Sequence, residues 1–203
     1  MEYLYAEINP ATEEVISERS LAVELTADQI KHVNGKPLLR PLTVIDSGPF
    51  DPTFQQLGEP VYDVAVDQVT KTTPVLDRDP AVARPAALVC VQTECKRRLA
   101  TGFDYDFGDA RGIHRIGTTE RDMAGWDEVT MLAQALINAA DTSTTIKIAT
   151  DTGICDVTAP EWNTILLAAG AFRQPIWQAS FVLQAMDPVP ADYANDARWQ
   201  APA

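Results

Sequence analysis

TAPEWNTILLAAGAFRQPIWQASFVLQAM, residues 158 to 186, decides how this chain is read. Within it Trp162, Ile165, Ala169, Phe172, Ile176, Ala179, Leu183 and Met186 recur at alternating spacings of three and four. That is the seam of an amphipathic helix, and it fits a heptad equally well. Thr158 and Glu161 stand where a capping box needs them, hydroxyl and carboxylate each meeting an otherwise orphan backbone N–H. Pro175 removes one hydrogen bond and crowds the carbonyl four residues back. It predicts a kink, or two abutting helices, near Gly170–Pro175.

Immediately upstream, residues 144 to 149 (TTIKIA) and 154 to 158 (ICDVT) read as a hairpin around Asp151-Thr152-Gly153. Before that, Thr119 with Asp122 marks a helix start, and Met123, Trp126, Val129, Ala133, Leu136 and Ala140 carry its apolar face. Phe103 to Ile116 alternates bulky and polar residues around a loop bracketed by Gly108 and Gly112, a second hairpin. From Ala86 to Thr101 a helix is expected, with Leu88, Val91, Cys95 and Leu99 on one face, Arg97 and Arg98 near its C-terminus and Gly102 ending it. The charged, proline-marked run from 77 to 85 reads as a linker.

The first third is expected to be mostly β: strands at 3 to 8 and 15 to 25, and a hairpin of 61 to 66 with 69 to 76 around Asp67-Gln68. Between them, VNGKPLLRPLTVID carries an Asn34-Gly35 turn signal, while Pro37 and Pro41 predict a strand at a sheet edge. Downstream of the spine, residues 187 to 203 are rich in Pro, Ala and Asp and predict an extended tail. Tyr193 and Trp199 are expected to dock it on its own domain or on another subunit.

Composition narrows the function classes. The chain has 203 residues, 46% of them apolar, enough to bury a core. Its net charge of −13 weighs against nucleic acid and against an anionic membrane surface, both of which call for clustered Lys and Arg. Cys90, Cys95 and Cys155 are an odd number and suggest a reducing compartment rather than a disulfide framework. The start, MEYLYAEINP, is acidic where a signal peptide is basic. No run approaches the roughly 20 apolar residues of a membrane span.

Four constellations invite a chemical reading. Asp151-Thr152-Gly153 is the triplet of aspartic proteases, which need two copies to share a proton, so one copy per chain would require a symmetric dimer. The same residues are also the ordinary residues of a hairpin turn. Asp104, Asp106 and Asp109 lack the ligand spacing of a calcium loop and fit a solvated strand face, with Phe103, Tyr105 and Phe107 on the other side. His114 beside Asp109 could form an acid–base pair, but no serine or cysteine is placed to complete a triad. Cys90 and Cys95 do not have zinc-ligand spacing, and no glycine run follows a strand and opens a helix as a phosphate loop does. The expectation is therefore a non-enzymatic protein without metal or cofactor.

RRLATGFDYDFGDARGIHRIGTT (97 to 119), DMAGWDEVTMLAQA (122 to 135) and ICDVTAPEWNTILLAA (154 to 169) occur in that order. Together they resemble an uncharacterised tail-associated domain family of tailed bacteriophages and prophages, with Arg98, Gly102, Trp126, Thr158 and Trp162 at the positions of the pattern. Residues 48 to 79 resemble the small β module that precedes such domains in phage tail proteins. The resemblance implies a virion protein of the tail fibre or baseplate periphery, made in the host cytoplasm. It transfers no catalytic residue.

The fold expected is α+β: a small mostly-β module over 1–80, helices packed on two hairpins over 81–186, and the tail 187–203. The function expected is assembly, with copies of itself as a homo-oligomer, a trimer by the heptad reading, and with other tail or baseplate proteins, and with host attachment as a further role. Trp162, Phe172, Ile176, Trp177, Leu183, Met186, Tyr193 and Trp199 are the candidate interface residues. The spine's seam has two readings, packing within its own domain or self-association around an axis. A fibre-assembly chaperone absent from particles, and a dimeric protease using Asp151, are the alternatives.

Overall fold

The computed structural model describes residues 2–33 and 36–200, the side chain of Lys36 apart. The Asn34-Gly35 turn expected above lies outside those residues. The fold is α+β, and the chain divides into two compact units, residues 1–79 and 80–203.

The first unit is built of short strands: β1 (Tyr3–Ile8), β2 (Val15–Leu21), β3 (His32–Val33), β4 (Lys36–Pro37), β5 (Leu39–Ile45), β6 (Gln55–Leu57), β7 (Val61–Val64), β8 (Val69–Thr72) and β9 (Val75–Asp77). Five of them form one sheet in the order β2-β1-β5-β8-β7. β5 pairs antiparallel with β1 and parallel with β8, and the expected hairpin closes as β7 and β8. Ala6, Ile8, Leu42 and Val69 make its small core. Arg40 is buried beside them and donates to the carbonyl of Ala65, fastening the β7–β8 turn. The sheet curls until its edges meet: Glu18 on β2 accepts from Tyr62 on β7 and from Lys71 on β8, the latter at 2.7 Å.

The prolines do not place β5 at an edge; it is the central strand. Its first half, Leu39 to Pro41, pairs with β1, and its second, Leu42 to Ile45, with β8. The missing N–H of Pro41 falls where the strand changes partner, so the ladder loses little there.

The second unit runs α1 (Pro80–Leu99), β10 (Phe103–Asp106), β11 (Ile113–Ile116), α2 (Glu120–Asn138), β12 (Thr145–Thr150), β13 (Gly153–Thr158), α3 (Ala159–Ala185) and a 3-10 turn at Asp196–Trp199. Both helix caps form as expected: Thr119 with Asp122, and Thr158 with Glu161, are complete capping boxes. Both hairpins form too, with Phe103 opposite Ile116 in one and Ile148 opposite Cys155 in the other.

The linker reading of residues 80 to 85 and the two-helix alternative at Pro175 both fail in this unit. α1 starts at Pro80, inside the supposed linker, because a proline in the first helical position gives up only an N–H that would be orphaned anyway. α3 runs uninterrupted through Gly170 and Pro175, not as two abutting helices. The carbonyl that Pro175 leaves without a donor belongs to Ala171, an exposed residue whose carbonyl water can serve.

The core lies where α2 and α3 cover the hairpins. Trp126 meets Trp162 edge to face with ring centroids 5.4 Å apart, among Ile116, Ile146, Ile148 and Val157. The Trp162 indole N–H donates to Thr130 Oγ1 at 3.0 Å, so this deep indole keeps its polar atom satisfied. α1 lays Ala83, Ala87, Val91, Cys95 and Leu99 inward. The tail turns back rather than extending. Arg84 of α1 donates to the carbonyl of Met186 at 2.7 Å, Arg98 reaches Asp196 at 2.7 Å, and the Arg98 guanidinium lies over the Trp199 ring.

Candidate functional site

Asp151, His114, Asp104, Asp109 and Cys155 lie in or beside the two hairpins. Asp151-Thr152 make the tight turn of the β12–β13 hairpin, with Gly153 at φ 138°, and the Asp151 N–H bonds to the Arg115 carbonyl at 2.9 Å. His114 does not meet Asp109. Its Nδ1 lies 3.0 Å from Thr150 Oγ1, whose own proton goes to the Gly153 carbonyl at 2.7 Å. Thr152 Oγ1 lies 3.2 Å from the same ring nitrogen, so the imidazole sits against two threonine hydroxyls at the hairpin turn. Asp109 is held instead by Arg111, and Asp104 by Arg115 at 3.0 Å. Cys155 is buried, which pushes its thiol above the ordinary value, the reverse of an activated nucleophile.

Arg111 ties the first hairpin to α3. It donates to Asp109 and Glu161, bonds the Asp156 carbonyl at 2.8 Å, and lies 4.2 Å from the centroid of Phe107. The guanidinium, with help from the Thr158 N–H, holds the Glu161 carboxyl down at about 2. This network fixes where α3 begins.

The eight candidate interface residues separate into two sets. Trp162, Ile176, Leu183 and Trp199 are buried in their own unit. Phe172 is half-buried and stacks on Phe103, while Met186 and Tyr193 are half-buried beside the returning tail. The seam is thus covered by α1, α2 and the hairpins of its own unit. Of the eight, only Trp177 is exposed, at 37%.

The opposite face of α3 is a surface of which sequence reasoning named only Trp177. Its exposed residues from Pro160 to Ala185 are Pro160, Asn163, Thr164, Leu167, Ala171, Gln174, Trp177, Gln178, Phe181, Val182 and Ala185. None of them is charged. Leu167 is 76% exposed, Phe181 61% and Val182 56%. Trp177 and Phe181, one turn apart, stack with centroids at 6.0 Å and form a preset aromatic step. Hollows flank it: a cleft of about 540 Å3 where Trp177 meets Arg173, Met123 and Leu99, and a groove of about 680 Å3 where Phe181 and Val182 face Arg198 and Gln200.

A helix apolar on its inner face normally carries charge on its outer one. The exposed face of α2 does so, with Glu120, Arg121, Asp127 and Glu128. α3 does not, in a chain of net charge −13. The signal is present in the sequence: between Glu161 and Asp187 the only charged residue is Arg173. It is hidden because the buried seam explains the apolar residues well enough without asking what the other side holds.

No family model, curated protein or solved structure matches the chain.

Proposed function

We propose that this chain is a structural protein of a bacteriophage tail, at the fibre or baseplate periphery, that works by assembling with other protein chains. The single observation that carries the assembly reading is the uncharged, aromatic-bearing outer face of α3. A solvent-facing strip of this kind marks a surface that another protein covers. The ordered motifs between residues 97 and 169 that resemble the phage tail-associated domain supply the tail setting.

Mass spectrometry of purified phage particles tests this reading. Peptides of the chain in stoichiometric amount with known tail subunits support it. A chain required for infectious particles yet missing from them would replace it with an assembly chaperone.

A further inference from the structure

We infer that the outer face of α3 pairs with the same face of a second copy, the two helices running antiparallel about a two-fold axis. This rests on the assembly reading and deepens it by naming the partner.

Charge restricts where a second copy can meet the first, and the self-complementary run of exposed residues on α3 selects that copy as the partner. Each copy carries a net charge of −13, so two copies repel one another over most of their surfaces. The outer face of α3 has no charge to contribute to that repulsion. A basic partner would be drawn to the carboxylate-rich surface and would gain nothing electrostatic from a strip without carboxylates.

The choice of direction comes from size. Leu167, Ala171, Gln174, Gln178, Phe181 and Ala185 are all exposed and follow one another at spacings of four, three, four, three and four. They form a second seam, on the solvent side of the helix, about 27 Å long at the α-helical rise. Run antiparallel about a point midway between Gln174 and Gln178, this seam complements itself. Leu167 faces Ala185 of the second copy, Ala171 faces its Phe181, and Gln174 faces its Gln178. Each large side chain meets an alanine. The two central amides, donor and acceptor alike, can satisfy one another. An isologous pair repeats each contact on the other side of the axis. A parallel bundle would stack phenylalanine on phenylalanine and alanine on alanine, alternating crowding with voids.

The test is sedimentation equilibrium of the full chain and three variants: Phe181→Glu, Ala171→Lys and the two combined. Both positions are exposed, and circular dichroism with tryptophan fluorescence verifies that each variant is folded. The wild type is expected to be dimeric at tens of micromolar, with Phe181→Glu weakening the dimer at least about tenfold. In the double variant the introduced lysine of each copy lies against the introduced glutamate of the other, and the dimer is expected to regain about tenfold over Phe181→Glu alone. A folded wild-type monomer overturns the pairing. So does loss in Phe181→Glu without recovery in the double variant, because a parallel arrangement sets like charges together. Neither result removes the chain from the particle, so the tail assignment is judged separately by mass spectrometry of virions.

Discussion

Arg111, in the loop between β10 and β11, donates to the carboxylate of Glu161, which caps the first turn of α3. One side chain thus links a hairpin to the start of a 27-residue helix fifty positions away. The same guanidinium also holds Asp109 and the Asp156 carbonyl.

Removing it by Arg111→Ala is expected to lower the stability of the second unit, because Glu161 and the Asp156 carbonyl both lose their donor. Denaturant unfolding followed by tryptophan fluorescence measures this cleanly. Trp126, Trp162, Trp177 and Trp199 all lie in the second unit.

The same contact makes stability depend on pH. Glu161 is held at about 2, against its ordinary 4.5, chiefly by Arg111. A carboxyl lowered in the folded state stabilises fully above its unfolded value, and that contribution fades as the pH falls through the folded one. Unfolding midpoints should therefore drop as the pH falls from 4.5 towards 2. Glu161→Gln, weaker at neutral pH, should show a shallower decline over that window. Parallel curves for the two proteins would remove Glu161 from the account.

Glycines at two places should respond in opposite directions. Gly102 sits at φ +72°, and a Cβ there would lie 2.6 Å from the Ile116 carbonyl oxygen. Gly102→Ala is expected to destabilise by more than about 1 kcal/mol. Gly125, inside α2 with open space around it, should stabilise by roughly 0.5–1 kcal/mol when changed to Ala. Thermal melts of both variants are sufficient.

The returning tail is held by Trp199, whose indole N–H bonds the Tyr193 carbonyl at 2.6 Å. Trp199 is 5% exposed. Trp199→Ala should free the segment after Val189 and make it the first site of limited proteolysis, at a stability loss of about 3 kcal/mol. Unchanged cleavage would show that Arg84 and Arg98 hold the tail unaided.

Local chemistry is readable along the chain, and long-range consequences are not. The Thr119–Asp122 and Thr158–Glu161 caps, the hairpins at Gly108–Gly112 and Asp151–Gly153, and the seam from Trp162 to Leu183 all follow from spacings of a few residues. Proline misleads three times. Its local penalty is plain in the sequence, but the neighbour that absorbs it is not: the partner change at Pro41, the helix start at Pro80, and the solvated carbonyl beneath Pro175. The parallel pairing of β5 with β8 and the reach of Arg111 to Glu161 leave no periodic trace. The outer seam of α3 is visible as letters but not as a surface. Only burial separates two apolar faces of one helix.

The measurement that bears most directly on assembly through α3 is the electron-microscopic structure of the intact particle, with this chain located in the tail. The account predicts that Leu167, Trp177 and Phe181 lie buried against another protein chain. A particle lacking the chain, or holding it with that face of α3 open to solvent, would contradict it.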